Sequence, residues 1–337
     1  MKPSVAIVLV NWNGWQDTVE CLHSLKNISY QPYEIILVDN GSTDNSVFQI
    51  QKIFPSIQLI ETKKNLGFAG GNNIAITYAL QKKVDFIFLL NNDTIVDPLV
   101  LEELTHAALQ KPKGGIFGAK VLRYQDPSTI DHMGGFWNSS IAEFDSPFLG
   151  KKEEEGSSMQ QVDYVSGCAF FVKKELFEQI GLLDEKFFLL WEESDFCARA
   201  KRNGCEIWTV PKAKIWHKIS ASFSGKPHLQ YYWWRNRLLW LEKNYLKKDL
   251  YTLYQKILLK EIFHSYKICT LKEIQYFFFK LFAPKQWSVK RREKLLRARA
   301  SCKGISDYFF RRFGIGPSWL SEKNEREKNH SAQNQET

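Results

Sequence analysis

Three groups of residues in this 337-residue chain have the types and spacing to do chemistry. Glu192-Glu193-Ser194-Asp195 gathers three carboxylates at the predicted start of a helix, directly after the apolar run Phe187-Phe188-Leu189-Leu190-Trp191. Acids in a first helical turn commonly do no more than complement the helix dipole. A carboxylate leaving apolar surroundings, by contrast, has its pKa raised and suits a general base. Asn91-Asn92-Asp93 closes the apolar run that begins at Phe86 and ends in one carboxylate. Asn and Asp are turn formers, so a polar turn after a strand would read the same way. His217 follows Lys214-Ile215-Trp216 and precedes Ser220 and Ser222. A lone histidine is more often structural than a ligand. Joined to an aspartate from a strand end, it could complete a site for a manganese-like divalent cation.

The elements that must position these groups follow from periodicity. Val5 to Val10, Glu34 to Val38, Ile57 to Ile60 and the run from Phe86 read as buried strands, with helices between them. Three of these strands end promptly in polar clusters: Asn11-Trp12-Asn13-Gly14, Asp39-Asn40-Gly41-Ser42-Thr43-Asp44 and Asn91-Asn92-Asp93. Strands alternating with helices predict a mostly parallel, doubly wound α/β sheet, whose ligands bind outside the C-terminal strand ends. The Asp97-Pro98 pair predicts a helix start with proline at its first position. Further on, Gly115 to Arg123, Asp131 to Trp137 and Val162 to Val172 read as strands, the last feeding a helix over Lys174 to Ile180. Lys151 to Gln161 reads as an exposed acidic loop, and Glu206 to Val210 and Lys214 to His217 as two short strands. The glycines from Gly67 to Gly71 lack the G-x-G-x-x-G spacing, so dinucleotide binding is disfavoured.

Composition sets the outer bounds. Hydrophobic content of 44% and charged content of 25% are ordinary for a folded domain. The six cysteines form no CxxC pair and the N-terminus has no signal-peptide pattern, which points to reduced thiols in the cytoplasm. No apolar run approaches membrane-spanning length. The net charge of +9 is unevenly spread: residues 242–320 carry 18 Lys/Arg against 6 Asp/Glu, while residues 1–241 carry 25 against 27.

The ordered motifs resemble family 2 glycosyltransferases. Asn11-Trp12-Asn13-Gly14, Val38-Asp39-Asn40-Gly41-Ser42-Thr43-Asp44, Asn65-x-Gly67-Phe68-Ala69-Gly70-Gly71-Asn72 and Asn91-Asn92-Asp93 occur in the family's order. So do Gly167-Cys168-Ala169, Gly181-x-x-Asp184-Glu185, Trp191-Glu192-Glu193-x-Asp195 and His217. The likeness covers about residues 4–240 and is greatest to the rhamnosyltransferase-type branch. It implies a GT-A fold, a Rossmann-like sheet flanked by helices with a C-terminal helical extension. It also implies inverting sugar transfer from a nucleoside diphosphate donor to a glycan or lipid-linked acceptor. By the same resemblance, Asp93 and His217 hold a divalent cation, Mg²⁺ or Mn²⁺, against the donor diphosphate. Asp39 contacts the nucleoside, and Glu193 deprotonates the acceptor hydroxyl. Asn11, Asn65, Gly67, Asn72 and Asn92 fall with the donor-binding motifs. Gly167, Trp191, Glu192 and Asp195 fall with the acceptor side. Rhamnose, as dTDP-rhamnose, is the donor the branch implies, with galactofuranose or N-acetylhexosamine donors as alternatives. The sequence departs from the common pattern in two places: Asn91 and Asn92 stand where many relatives carry acids, and Glu193 stands where Asp is frequent.

After Tyr231 the chain becomes aromatic and basic. Tyr231-Tyr232-Trp233-Trp234-Arg235-Asn236-Arg237 and Gly304-Ile305-x-Asp307-Tyr308 also resemble the rhamnosyltransferase branch. Leu250 to Phe263 and Ile274 to Phe282 pair apolar residues with lysines, which predicts either helices packed on the catalytic domain or a surface that docks on anionic lipid. The expected organisation is a catalytic domain over residues 1–240, a basic helical extension over 241–320 and a disordered tail over 321–337. The expected location is the inner face of the cytoplasmic membrane. No nucleic-acid motif accompanies the charge. A sugar nucleotidyltransferase would carry a basic Gly-rich loop where Asn11-Trp12-Asn13-Gly14 stands. A glycan-binding protein without catalysis would share the fold but not need Glu193.

Overall fold

The computed structural model describes residues 2–218, 226–283 and 288–320. It divides into two compact units, Met1–Ser220 and Ala221–Thr337. The division falls at residue 220, before the boundary expected at 240. The expectation for the 321–337 tail, like Ser220 and Ser222, lies outside the described residues.

The first unit is built on a sheet in which β3 (Gln58–Glu61), β2 (Tyr33–Asp39), β1 (Val5–Asn11) and β4 (Phe86–Asn91) run parallel in that order. Helices α1 (Trp15–Leu25), α2 (Ser46–Ile53) and α3 (Gly67–Leu80) make the crossovers. Alternate residues of these strands feed two apolar layers. Ile7, Leu9, Leu37 and Phe88 pack on one face with Leu22 of α1, and Val8, Ile36, Ile87 and Leu89 pack on the other with Ile76 of α3. Burial on both faces explains why the strands read as unbroken apolar runs. Each fully buried side chain contributes roughly 1.5–3 kcal/mol.

Beyond β4 the sheet becomes mixed. The chain continues through β5 (Thr94–Val96), α4 (Val100–Gln110), β6 (Gly114–Arg123), β7 (Ile130–His132), β8 (Phe136–Asn138) and β9 (Glu143–Asp145). It then passes through β10 (Ala169–Lys173), α5 (Lys174–Ile180), α6 (Glu192–Arg202) and β11 (Glu206–His217). β10 inserts antiparallel between β4 and β6, and β11 lies parallel to β6 with β5 antiparallel at its far side.

Four local expectations change. The strand expected over Val162 to Val172 is a strand only from Ala169, because Val162 N and Tyr164 N bond to Ile207 O and Gly135 O instead. The two strands expected over 206–217 are one, with a register shift between Val210 and Lys214 where Pro211 cannot donate to the ladder. Asp131 to Trp137 divides between β7 and β8, with Gly134 at φ 75° between them. The helix after Asp97-Pro98 begins at Val100, and Asp97 Oδ1 instead accepts from Leu99 N at 2.9 Å.

The second unit is helical: α7 (Pro227–Asn244), α8 (Lys247–Leu253), a π turn (Tyr254–Leu258), α9 (Leu259–Phe282) and α10 (Val289–Phe309). Its Tyr-Tyr-x-x-Arg-Asn-Arg motif is a packing device. Arg235 and Arg237 are fully buried, and Arg235 Nη1 donates to Gly314 O at 2.6 Å. Arg237 Nη1 reaches Glu261 Oε2 of α9 at 2.6 Å, and Tyr231 OH donates to Asp307 Oδ2 of α10 at 2.8 Å. Gly304 lets α10 approach α7, since a Cβ there would lie 2.3 Å from Tyr231 O.

Candidate active site

The site forms at the C-terminal ends of β1, β2 and β4, where a hydrogen-bonded chain crosses three strands. Asn92 Nδ2 donates to Thr18 Oγ1 at 2.8 Å, and Thr18 Oγ1 donates to Asn11 Oδ1 at 2.9 Å. Asn11 Nδ2 in turn donates to Asp39 Oδ1 at 2.8 Å. Asp39 Oδ1 also accepts from Ser42 Oγ at 2.6 Å, and Asp39 Oδ2 accepts from Ser42 N at 2.9 Å. An ionised carboxylate has about four acceptor positions, so these three bonds leave one on Oδ2 for a ligand. Thr18 lies in none of the motifs, and Ser42, a member of the Asp39 motif, acts here by bonding the Asp39 carboxylate. Thr18 was legible only as a helix residue one turn past Gly14, with no chemistry of its own.

Asp93 and His217, 124 positions apart in sequence, meet: Nε2 of His217 lies 3.2 Å from Asp93 Oδ1. β11 brings the histidine there by pairing His217 with Thr94 across the antiparallel β5 contact. Asn91 Nδ2 stands 3.5 Å from the same Nε2, and Asp131 Oδ2 lies 3.7 Å from Nδ1 on the ring's other side. Burial opposes ionisation of Asp93, yet the His217 bond and charge outweigh it and hold the carboxyl below its ordinary pKa. For His217 burial again opposes the charged form, but Cys168, Asp131 and Asp93 together raise its pKa. Burial raises the pKa of the adjacent Cys168 thiol, and His217 pulls it partly back.

Among the described residues no group of three or more His, Cys, Asp or Glu side chains is arranged to hold a metal. The Asp93–His217 pair fits a cation that takes only two protein ligands. Small divalent cations such as Mg²⁺ are ordinarily held by one or two carboxylates plus substrate phosphates; this pair offers one carboxylate and one imidazole.

The carboxylate cluster sits at the start of α6 after an unusual loop. Phe188, Leu190 and Trp191 all have left-handed backbone, with φ of 63°, 69° and 76°. Such conformations cost bulky residues on the order of 1–3 kcal/mol each, so tertiary contacts must hold them. Glu192 is almost fully buried, and its pKa is raised well above the usual range by burial and then by the Glu193 charge. Burial also raises the Glu193 pKa, while backbone N–H groups, including that of Gly167, pull it partly back. Oε2 of each glutamate is out of solvent with no hydrogen-bond partner among the described residues.

Gly167-Cys168 bridges the two halves of the site. Gly167 packs beside Glu193, 3.7 Å from its Cβ to an ideal Cβ on the glycine, and Cys168 O accepts from Asn91 N at 3.0 Å. The remaining predicted site residues are braces in this structure. Asn65 Oδ1 accepts from Gly67 N at 2.8 Å, and Asn72 Nδ2 donates to Phe68 O at 2.9 Å. Asp195 is fully buried and its Oδ2 accepts from Arg199 Nε at 2.9 Å. Arg199 then caps the carbonyls of Ile180 and Leu182 at 2.7 Å each. Trp191 is buried, with its ring 5.8 Å from that of Phe144.

Residues 6–181 match the family model described as Glycosyl transferase family 2. Among curated relatives, a low-salt glycan biosynthesis hexosyltransferase of Haloferax volcanii is 27% identical over 61% of this chain and 64% of its own length. The N-acetylglucosaminyl-diphospho-decaprenol L-rhamnosyltransferase of Mycobacterium tuberculosis is 25% identical over 71% of this chain and 89% of its own. The dTDP-rhamnosyl transferase RfbF of Shigella flexneri is 23% identical over 73% and 82%. The chain thus spans just under two thirds of the first relative and most of the other two. Among solved structures, the mannosyltransferase PcManGT of Pyrobaculum calidifontis, in complex with GDP-Man and Mn²⁺, superposes with a TM-score of 0.55. It is 13% identical and covers 92% of this chain and 88% of its own. The fold is the GT-A type that the motifs implied.

Proposed function

The chain belongs to glycosyl transferase family 2, and on that premise we propose that it transfers rhamnose, with inversion, from dTDP-rhamnose to a lipid-linked or polysaccharide acceptor. The observation that carries the catalytic reading is Glu193. Its Oε2 is shielded from water and unpartnered, and Gly167-Cys168 ties it to the Asp93–His217 pair. Rhamnose rests on the names of two relatives, each of which this chain matches over more than four fifths of its length.

Glu193 takes the proton of the acceptor hydroxyl as that oxygen bonds to the anomeric carbon. The carbon–oxygen bond to the diphosphate breaks on the opposite face, so configuration inverts and no covalent enzyme intermediate forms. A hydroxyl is a poor nucleophile near neutral pH, and a burial-raised carboxylate is a better-matched base than a solvated one. Asp93 and His217 hold a divalent cation, which when bound neutralises charge developing on the nucleoside diphosphate. Asp39 turns its remaining acceptor position to the nucleoside and is fixed in that pose by Asn11 and Ser42.

The test is nucleotide release by purified protein over a donor panel of dTDP-rhamnose, UDP-galactofuranose and UDP-N-acetylhexosamines, with a polyprenyl-diphosphate-linked acceptor. dTDP-rhamnose should turn over and the others should not. Glu193→Gln should lower kcat by about 10²–10⁴-fold, the range for a lost general base, while leaving donor affinity unchanged. Retained turnover in that variant would remove Glu193 from its role, and turnover with another donor only would replace rhamnose.

A further inference from the structure

Helix α9 has 24 residues and buries none of them, although it is rich in large apolar side chains. Leu259, Phe263, Ile274, Phe277 and Leu281 are all exposed and recur at helical spacing along one side. Phe263 is 72% and Phe277 64% exposed. Single exposed apolar residues are common, but a continuous stripe of this length marks an interaction surface.

The charge around the stripe identifies its occupant. Lys256, Lys260, Lys267 and Lys280 are exposed beside it, and none makes an ion pair or hydrogen bond among the described residues. The two acids of α9 are both engaged, Glu261 by Arg237 and Glu273, four residues before Phe277 at the stripe's edge, by Arg299. The stripe therefore presents phenyl rings, leucines and ammonium groups, and the nearest carboxylate, Glu273, is already neutralised by Arg299. A second copy of the same helix would set lysine against lysine. A nucleic acid would match the charge and leave the rings in water. An anionic bilayer surface takes both, the rings below the headgroups and the lysines among the phosphates.

We propose that α9 is an interfacial helix that lies in the plane of an anionic lipid membrane, its Leu259–Leu281 stripe inserted and its lysines on the headgroups. No helix among the described residues is long and apolar enough to cross a membrane, so attachment is peripheral and reversible. The proposal rests on the catalytic reading only for its consequence, that the enzyme is held where a lipid-linked acceptor lies.

The experiment is co-sedimentation of the full-length protein with vesicles of phosphatidylcholine alone or with one third phosphatidylglycerol, at low and high salt. Binding is expected to the anionic vesicles and to weaken with salt. The double variant Phe263→Ser/Phe277→Ser should lower vesicle affinity at least tenfold, and the variant with Lys256, Lys260, Lys267 and Lys280 changed to Gln should do the same. Because every altered side chain is exposed, thermal melting should be unchanged. Turnover on a short, water-soluble acceptor, assayed on the same samples, should also be unchanged, which separates this proposal from the catalytic one. Equal binding by parent and both variants would overturn it. So would a concentration-dependent dimer that the serine variant dissociates, with no vesicle binding, which would make a second copy the occupant.

Discussion

Gly67 and the carbonyl of Phe188 are in contact across 121 positions of sequence: a Cβ on Gly67 would lie 2.3 Å from Phe188 O. The same oxygen accepts from Phe68 N at 2.7 Å, so the start of α3 grips the strained loop that delivers Glu192 and Glu193. Gly67 itself has φ +75°. Gly67→Ala therefore faces both a left-handed backbone and a clash with a main-chain atom that cannot rotate away. The expected cost is about 1–3 kcal/mol of stability, the range for overpacked sites, read by denaturant unfolding. Turnover should fall more than donor affinity, because the displaced loop carries Glu193, the proposed base.

That contact also shows what the sequence could and could not reveal. The strand ends carrying Asn11, Asp39 and Asp93 were legible because buried parallel strands have an unmistakable apolar run and a sharp polar stop. The direction of β10 was not legible, since an apolar strand has the same pattern in either orientation. Nor was the left-handed backbone at Phe188, Leu190 and Trp191, because only Gly and Asn advertise positive φ in a sequence. Asp195 could not be told from a solvated first-turn acid, since its burial depends on Arg199 reaching back to the Ile180 and Leu182 carbonyls. Asp131 gave no motif at all; it enters the site only because β7 pairs with β6 beside His217.

The buried Glu192 predicts how stability varies with pH. Its folded pKa is raised, by burial first and by Glu193 second, above the unfolded value of about 4.3. Below that unfolded value the glutamate is protonated in both states and carries no penalty. As pH rises above it, the unfolded chain loses the proton that the folded protein keeps, so stability falls until the folded pKa is passed. Glu192→Gln removes this dependence. The variant should melt at the same temperature as the parent near pH 4 and at a higher one at pH 7, with the gap opening steadily between. A constant gap across that range would show that Glu192 does not titrate differently in the two states.

The Asn92–Thr18–Asn11 chain predicts coupling between strand ends. Thr18→Val keeps the shape of the side chain but leaves Asn92 Nδ2 and Asn11 Oδ1 without their shared hydroxyl. An unmet buried hydrogen-bonding group costs about 1–3 kcal/mol. The two bonds share one atom, so Thr18→Val and Asn92→Ala should be non-additive by at least about 0.5 kcal/mol in a double-mutant cycle of unfolding free energies. Nucleotide affinity should weaken as well, because Asn11, with Ser42, holds Asp39, the proposed nucleoside contact. Additive effects would mean the chain is two independent contacts.

Metal binding is the last test, and it can be read without turnover. Mn²⁺ titrated into the protein with a nucleoside diphosphate, and followed by loss of the free-ion EPR signal, should bind with one site. Asp93→Ala and His217→Ala should each weaken that affinity tenfold or more, about 1.4 kcal/mol, if this facing pair holds the cation as proposed. Together they should cost little beyond the worse single change, since the surviving ligand alone no longer defines a site. Asp131→Asn separates support from ligation. Its carboxylate stands 3.7 Å from Nδ1 on the ring's other side, beyond hydrogen-bond length but close enough to favour the imidazole's orientation by charge. A loss of about 10–100-fold is typical for such outer partners. Should Asp131→Asn bind Mn²⁺ as tightly as the parent, the ring is held by Asp93, Asn91 and its place on β11 alone.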